Sequence, residues 1–131
     1  MRNEVLLGQF KSHSYHVKAE DFAIFDAGTV HEVVSTFALA REMEWATRLF
    51  ALEMREEDEE GIGTFVEIKH LSPAVQGAEL TITAQLIEIR KNEIICEVLV
   101  KQSDRLVASG RTGQKILKRE KLKQIFSSLE R

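Results

Sequence analysis

One cysteine, one proline and seven glycines are all that this 131-residue chain holds of the residue types that staple, break or loosen a backbone. A single thiol, Cys96, excludes an internal disulfide and fits a reducing compartment. Its neighbours Ile94, Ile95 and Val98 mark it as a buried structural thiol. With Pro73 alone and no Gly/Ser-rich or repetitive tract, nothing divides the chain, and one domain over 1–131 is expected. Charge is also nearly balanced, at 18 basic against 21 acidic residues, which leaves no overall electrostatic footprint for a nucleic-acid partner. The N-terminal MRNEVLLGQFKSHSYHV has too short an apolar run for a signal peptide or membrane span, so the cytoplasm is the expected compartment, with no membrane partner. His13, His16 and His31 stand in no cysteine or carboxylate pattern that would hold a metal. Gly61-x-Gly63 precedes a strand and not a helix, so it is no dinucleotide fingerprint, and no cofactor is expected.

What remains is an ordinary soluble composition, 44% hydrophobic and 30% charged, with clear periodicities. Residues 8–17 alternate loosely and predict a first strand; 18–31 fit neither period and predict a loop or short turn. Phe22, Ile24 and Phe25 on that loop need cover, so it should lie over a pocket or partner surface. From Val33 to Met54 the period is helical, and the acidic run 56–60 before Gly61 predicts a solvated turn. Beyond Gly61 the period switches to two, predicting strands at 63–72, 78–90, 93–102 and 105–117, with a bulge where the apolar parity moves to Ile87. Short turns between them predict an antiparallel meander. Residues 118–131 predict an amphipathic C-terminal helix using Leu122, Ile125 and Leu129. The fold class is α+β, a long helix wrapped by a curved antiparallel sheet. Leu39, Trp45, Leu49 and Leu52 spread beyond one stripe of the helix, which points to self-association.

Within STFALAREMEWATRLF (residues 35–50) one residue is awkward. At about 100° per residue, Val33, Phe37, Ala40, Thr47 and Ala51 all fall within about 60° of Glu44. A carboxylate among small apolar side chains can serve as nucleophile or base; equally, Arg41 and Arg48 stand at helical spacing to pair with it. His70 shares a strand face with Val66 and Ile68, where it is either a hydrogen-bonded core residue or a proton carrier.

The order of elements is similar to the hotdog fold. Thr36, Met43-Glu44-Trp45, Gly63-Thr64 and His70, with the spacing from His70 to Ser109-Gly110, resemble the fluoroacetyl-CoA thioesterase family from Val33 to Leu117. The resemblance implies subunit pairing, at least a homodimer, and hydrolysis of acyl-CoA to carboxylate and free coenzyme A. It carries the catalytic threonine, glutamate and histidine onto Thr36, Glu44 and His70. It makes Gly63 the glycine whose amide approaches the thioester, although Gly63 also suits a turn leading into a strand. Gln114 replaces a family arginine, and Ala27 and Val30 replace two lid phenylalanines. These four positions, Gly63, Gln114, Val30 and Ala27, are the implied substrate-binding set, and the loss of the two lid phenylalanines argues against fluoroacetyl-CoA itself. Thr36 and Glu44 lie about 12 Å apart along a helix. Either Thr36 is only the helix cap, or the site draws on two subunits. The expected function is an acyl-CoA thioesterase for a small or medium acyl group; the alternative is a non-catalytic acyl-CoA or small-ligand binding protein on the same fold.

Overall fold

The computed structural model describes residues 1–25 and 28–130, without the side chains of Phe25, Thr29 and Val30. Its elements run β1 Phe10–His16, a short 3-10 turn Ala19–Asp21, β2 Phe22–Phe25, β3 Gly28–Val34, α1 Thr36–Met54, β4 Glu59–His70, β5 Glu79–Arg90, β6 Glu93–Gln102, β7 Arg105–Lys118 and α2 Arg119–Leu129. A five-stranded antiparallel sheet in the order β1-β5-β6-β7-β4 packs on α1, and β2-β3 form a separate two-stranded sheet.

Alternation builds the inner face of the sheet. Leu80, Ile82, Ala84 and Leu86 of β5 are all fully buried, and the bulge between Leu86 and Glu88 is where the parity change placed it. The β5-β6 and β6-β7 hairpins turn through Lys91 and Ser103, both in the left-handed region, with φ 58° and 52°, which tight two-residue turns require. Against this face α1 lays Leu39, Met43, Ala46, Phe50 and Met54, spaced three and four apart and all buried. Cys96 is buried beneath the same helix, and burial pushes its thiol up to about 11 against the opposing hydrogen bond to Thr47. That is an inert thiol, as its neighbours implied.

Four expectations need correction. The helix begins at Thr36, not Val33: Ser35 Oγ caps it by accepting from the Ala38 amide at 3.0 Å. Val33 and Val34 instead end β3, where Val33 bridges to Val75 and the Val34 amide bonds Ala74 O at 2.8 Å. Within 18–31 a short turn forms at Ala19–Asp21, but Phe22–Phe25 and the residues from Gly28 onward pair as strands, which the expected loop or short turn did not include. The strands after the helix are not a simple meander, because β4 crosses to the far edge and pairs with β7. The 71–78 connection is long enough for that crossing, since three strand spacings are only about 14 Å. Finally, Glu59 and Glu60 belong to β4: Glu59 is buried and accepts from the Glu56 amide, and Glu60 pairs with Arg119. The tail helix forms, but of its apolar residues only Leu122 is buried, while Ile125 and Leu129 are exposed.

One polar cluster ties the start of α1 to the turn before β2. Asp21, almost fully buried, accepts from the Tyr15 hydroxyl at 2.5 Å, the Lys18 amide at 2.9 Å and Arg41 Nη2 at 3.1 Å. Burial alone would raise its carboxyl, but these three donors outweigh it and hold the group below the usual range. Burial, and then the same carboxylate, push the Tyr15 hydroxyl up to about 12. The Asp21 carbonyl also accepts from the Ser35 amide at 2.7 Å, so the cluster anchors the helix cap directly.

Candidate active site

Because Ser35 takes the capping role, the Thr36 hydroxyl is free, and it lies 3.0 Å from His70 Nδ1. The last residue of β4 and the first of α1 thus make a hydroxyl–imidazole pair within one chain. His70 Nε2 is buried and has no partner among the described residues. In the tautomer where Thr36 donates to Nδ1, Nε2 carries the proton.

Glu44 lies elsewhere. It is half-buried on the flank of α1 that faces β4, not at the centre of the buried face. A Cβ added to Gly63 would stand 2.6 Å from Glu44 Oε1, so glycine is what lets the carboxylate reach the strand backbone. Gly63 pairs in register with Gln114 of β7, whose Nε2 is 3.7 Å from the same point. Neither arginine neutralises Glu44. Arg48 Nη1 donates to Gly61 O at 3.1 Å, while Arg41 donates to Asp21, Tyr15 and Glu42. Among the described residues Glu44 has no ion pair, and the simple salt-bridge reading of the helix pattern fails.

A groove of about 500 Å³ opens over Glu44 between Phe37, Arg41, Trp45 and Arg48. A second depression of about 480 Å³ is lined by Phe22 and Ile24 of the hairpin and by Thr36, and shares Phe37 and Arg41 with the first. Strand β2 therefore lines a depression, although Ile24 stays 52% exposed. Of the expected lid positions, Ala27 lies outside the described residues, as does the side chain of Val30. Within one chain the expected residues fall into two clusters, Thr36 with His70 and Glu44 with Gly63 and Gln114. About 12 Å of helix separates them.

Sequence reasoning did not find the work of Arg48, which clamps the Gly61 carbonyl beside this cluster, nor the Asp21–Arg41 anchor. Both are long-range contacts with no local pattern. His13, set aside as a ligand, pairs with Glu42 at 3.1 Å.

Residues 17–120 match the fluoroacetyl-CoA-specific thioesterase family, FlK. A Thermus thermophilus protein described as a thioesterase superfamily member is 32% identical, with 98% of this chain and 95% of that one covered and a TM-score of 0.94. The fluoroacetyl-CoA thioesterase FlK itself superposes with a TM-score of 0.89 at 18% identity, over 98% of this chain and 100% of that one. A hot-dog-like protein from Thermanaerovibrio acidaminovorans gives 0.85 at 20% identity, over 95% and 93% of the two chains. No curated protein matches. The architecture of one long helix on a five-stranded antiparallel sheet is the hotdog fold. The chain belongs to the fluoroacetyl-CoA-specific thioesterase family and is an acyl-CoA thioester hydrolase.

Proposed function

We propose that this hydrolase acts on small or medium acyl-CoA through Glu44, His70 and Thr36, at a site completed by a second copy of the chain. The observation that carries the reading is Glu44, a carboxylate left free by both neighbouring arginines and set against a glycine backbone at the wall of a groove. Such a group attacks the acyl carbonyl or activates a water to do so. Gly63 offers backbone to the carbonyl oxygen, and His70 Nε2 supplies the proton that the leaving thiolate needs. Thr36 fixes the imidazole. Coenzyme A enters as part of the substrate, and these side chains supply the chemistry without metal or organic cofactor.

Two features support the shared site. Thr36, which holds His70, and Glu44 stand about 12 Å apart along α1, yet they line two depressions that share Phe37 and Arg41. This side of α1 carries Phe37 at 80% exposure and Trp45 at 44%, beside β4, an edge strand with Val66 also exposed. Apolar side chains next to an open sheet edge favour pairing with another copy, so a homodimer or higher homo-oligomer is the expected assembly. The lone buried thiol supports a cytoplasmic setting; no helix among the described residues is long and apolar enough to cross a membrane.

The test is free-thiol release from a panel of short and medium acyl-CoAs, fluoroacetyl-CoA included. Turnover of unsubstituted short acyl groups at least equal to that of fluoroacetyl-CoA is the expected result. A marked preference for fluoroacetyl-CoA overturns the substrate assignment, and binding of the panel without thiol release favours an acyl-CoA binding protein.

A further inference from the structure

Gln114 is 1% exposed, and neither its Nε2 nor its Oε1 has a hydrogen-bond partner among the described residues. A buried amide left without a partner is costly, and a primary amide has two donors and an acceptor to satisfy. Its position is specific. Nε2 faces the space above Gly63 that Glu44 Oε1 also faces, at 3.7 Å and 2.6 Å from one common point. Oε1 lies over Gly61, 3.1 Å from where a Cβ would be. Arg48 Nη1 is 3.9 Å from that same point. The Glu44 carboxylate and the Gln114 amide do not bond each other. Their distances to that common point place Glu44 Oε1 and Gln114 Nε2 no more than about 6.3 Å apart, a gap that one oxygen atom spans with hydrogen bonds of up to about 3.2 Å.

Resting on the proposed hydrolysis, we infer that Gln114 is a positioning residue that holds the attacking water between its amide and Glu44. Depth decides for water over the acyl carbonyl. Gln114 sits deeper than half-buried Glu44, whereas the carbonyl arrives on its pantetheine arm from the open groove. Small side chains frame the space, since a Cβ on either Gly61 or Gly63 would intrude on the amide or the carboxylate. Glu44 is then a general base. Gln114 Nε2 donates to one lone pair of the water oxygen, and Glu44 Oε1 accepts one of its protons. The other lone pair forms the C–O bond to the acyl carbon. Collapse of the tetrahedral adduct breaks the C–S bond and gives the carboxylic acid and the coenzyme A thiolate, which takes a proton from His70. Glu44 passes the proton it took from water to His70, which restores the starting state, and the acid releases its remaining proton to solvent, leaving a carboxylate with free coenzyme A.

The experiment compares wild type with Gln114→Leu and Gln114→Asn in thiol release, thermal unfolding and a high-resolution crystal structure. Gln114→Leu should lower kcat by about 100-fold with KM within threefold. Its Tm should be unchanged or higher, because an apolar isostere carries no amide to satisfy. The wild-type density should show one water within hydrogen-bond reach of both Glu44 and Gln114, absent in Gln114→Leu. Gln114→Asn, keeping the amide, should retain more activity than Gln114→Leu. A fall in kcat tracking a fall in Tm would make Gln114 merely structural, and a rise in KM alone would make it a substrate-binding group. Either result overturns the inference, as does wild-type density without that water. A wild type that releases no thiol from any substrate counts against the proposed hydrolysis instead, while the crystallographic water still tests the placement.

Discussion

Glu44→Gln lowers kcat for thioester hydrolysis by about 10³-fold while leaving Tm within about 3 °C of wild type. The amide keeps the shape of the side chain but can neither accept a proton from water nor attack a carbonyl. Folding loses little, because Glu44 is half-buried, makes no ion pair among the described residues and lies off the buried face formed by Met43, Ala46 and Phe50. Thiol release at saturating acyl-CoA, with a thermal melt of each protein, checks both halves. Equal kcat in the two proteins removes Glu44 from the chemistry. A large drop in Tm makes it structural.

Two glycine substitutions should separate stability from activity in opposite directions. In Gly63→Ala the new methyl meets the Glu44 carboxylate, the far end of a flexible side chain that can swing aside. The fold tolerates this, but the carboxylate is displaced, and a shift of about 1 Å at a reacting group costs about 100-fold in rate. In Gly110→Ala the methyl would stand 1.8 Å from the Glu67 carbonyl oxygen and 2.8 Å from its carbon. Backbone cannot swing aside. The β4-β7 ladder must open beside the Ile68–Gly110 pair, at a cost of about 4 kcal/mol and a Tm drop of more than about 10 °C. Melting curves and kcat on both variants decide it. A stable, active Gly63→Ala contradicts the contact with Glu44, and an unperturbed Gly110→Ala contradicts the β4-β7 packing.

The parts of this fold written in local periodicity were legible. Leu80, Ile82, Ala84 and Leu86 announced a half-buried strand, and even the bulge after Leu86 showed as a change of parity. What depends on long-range pairing was not. Nothing local in β4 says that it skips β5 and joins β7 at the far edge. The β2-β3 hairpin escaped because FAIF and GTVHEVV alternate poorly and pair with register shifts. Glu44 was placed on the wrong part of the helix surface for a related reason. Val33 is not helical and Phe37 is 80% exposed, so the apolar set used to centre the face mixed core residues with those of an outer surface. Thr36 was legible only through family likeness, whereas His70 also showed as a histidine on an apolar strand face; their 3.0 Å contact emerges only from the fold. Likeness also marked Gln114 as a lost charge. That the amide is buried without a partner beside Glu44 emerges only from the packing of three elements.

The central claim is that the catalytic groups meet only across two copies of the chain, and subunit complementation tests it most directly. Glu44→Gln and His70→Ala, each inactive alone, are unfolded together and refolded as a mixture. Half of the dimers are then mixed, and each holds one intact site in two, so about a quarter of wild-type activity should return. Activity no greater than that of the separate variants would contradict the shared site.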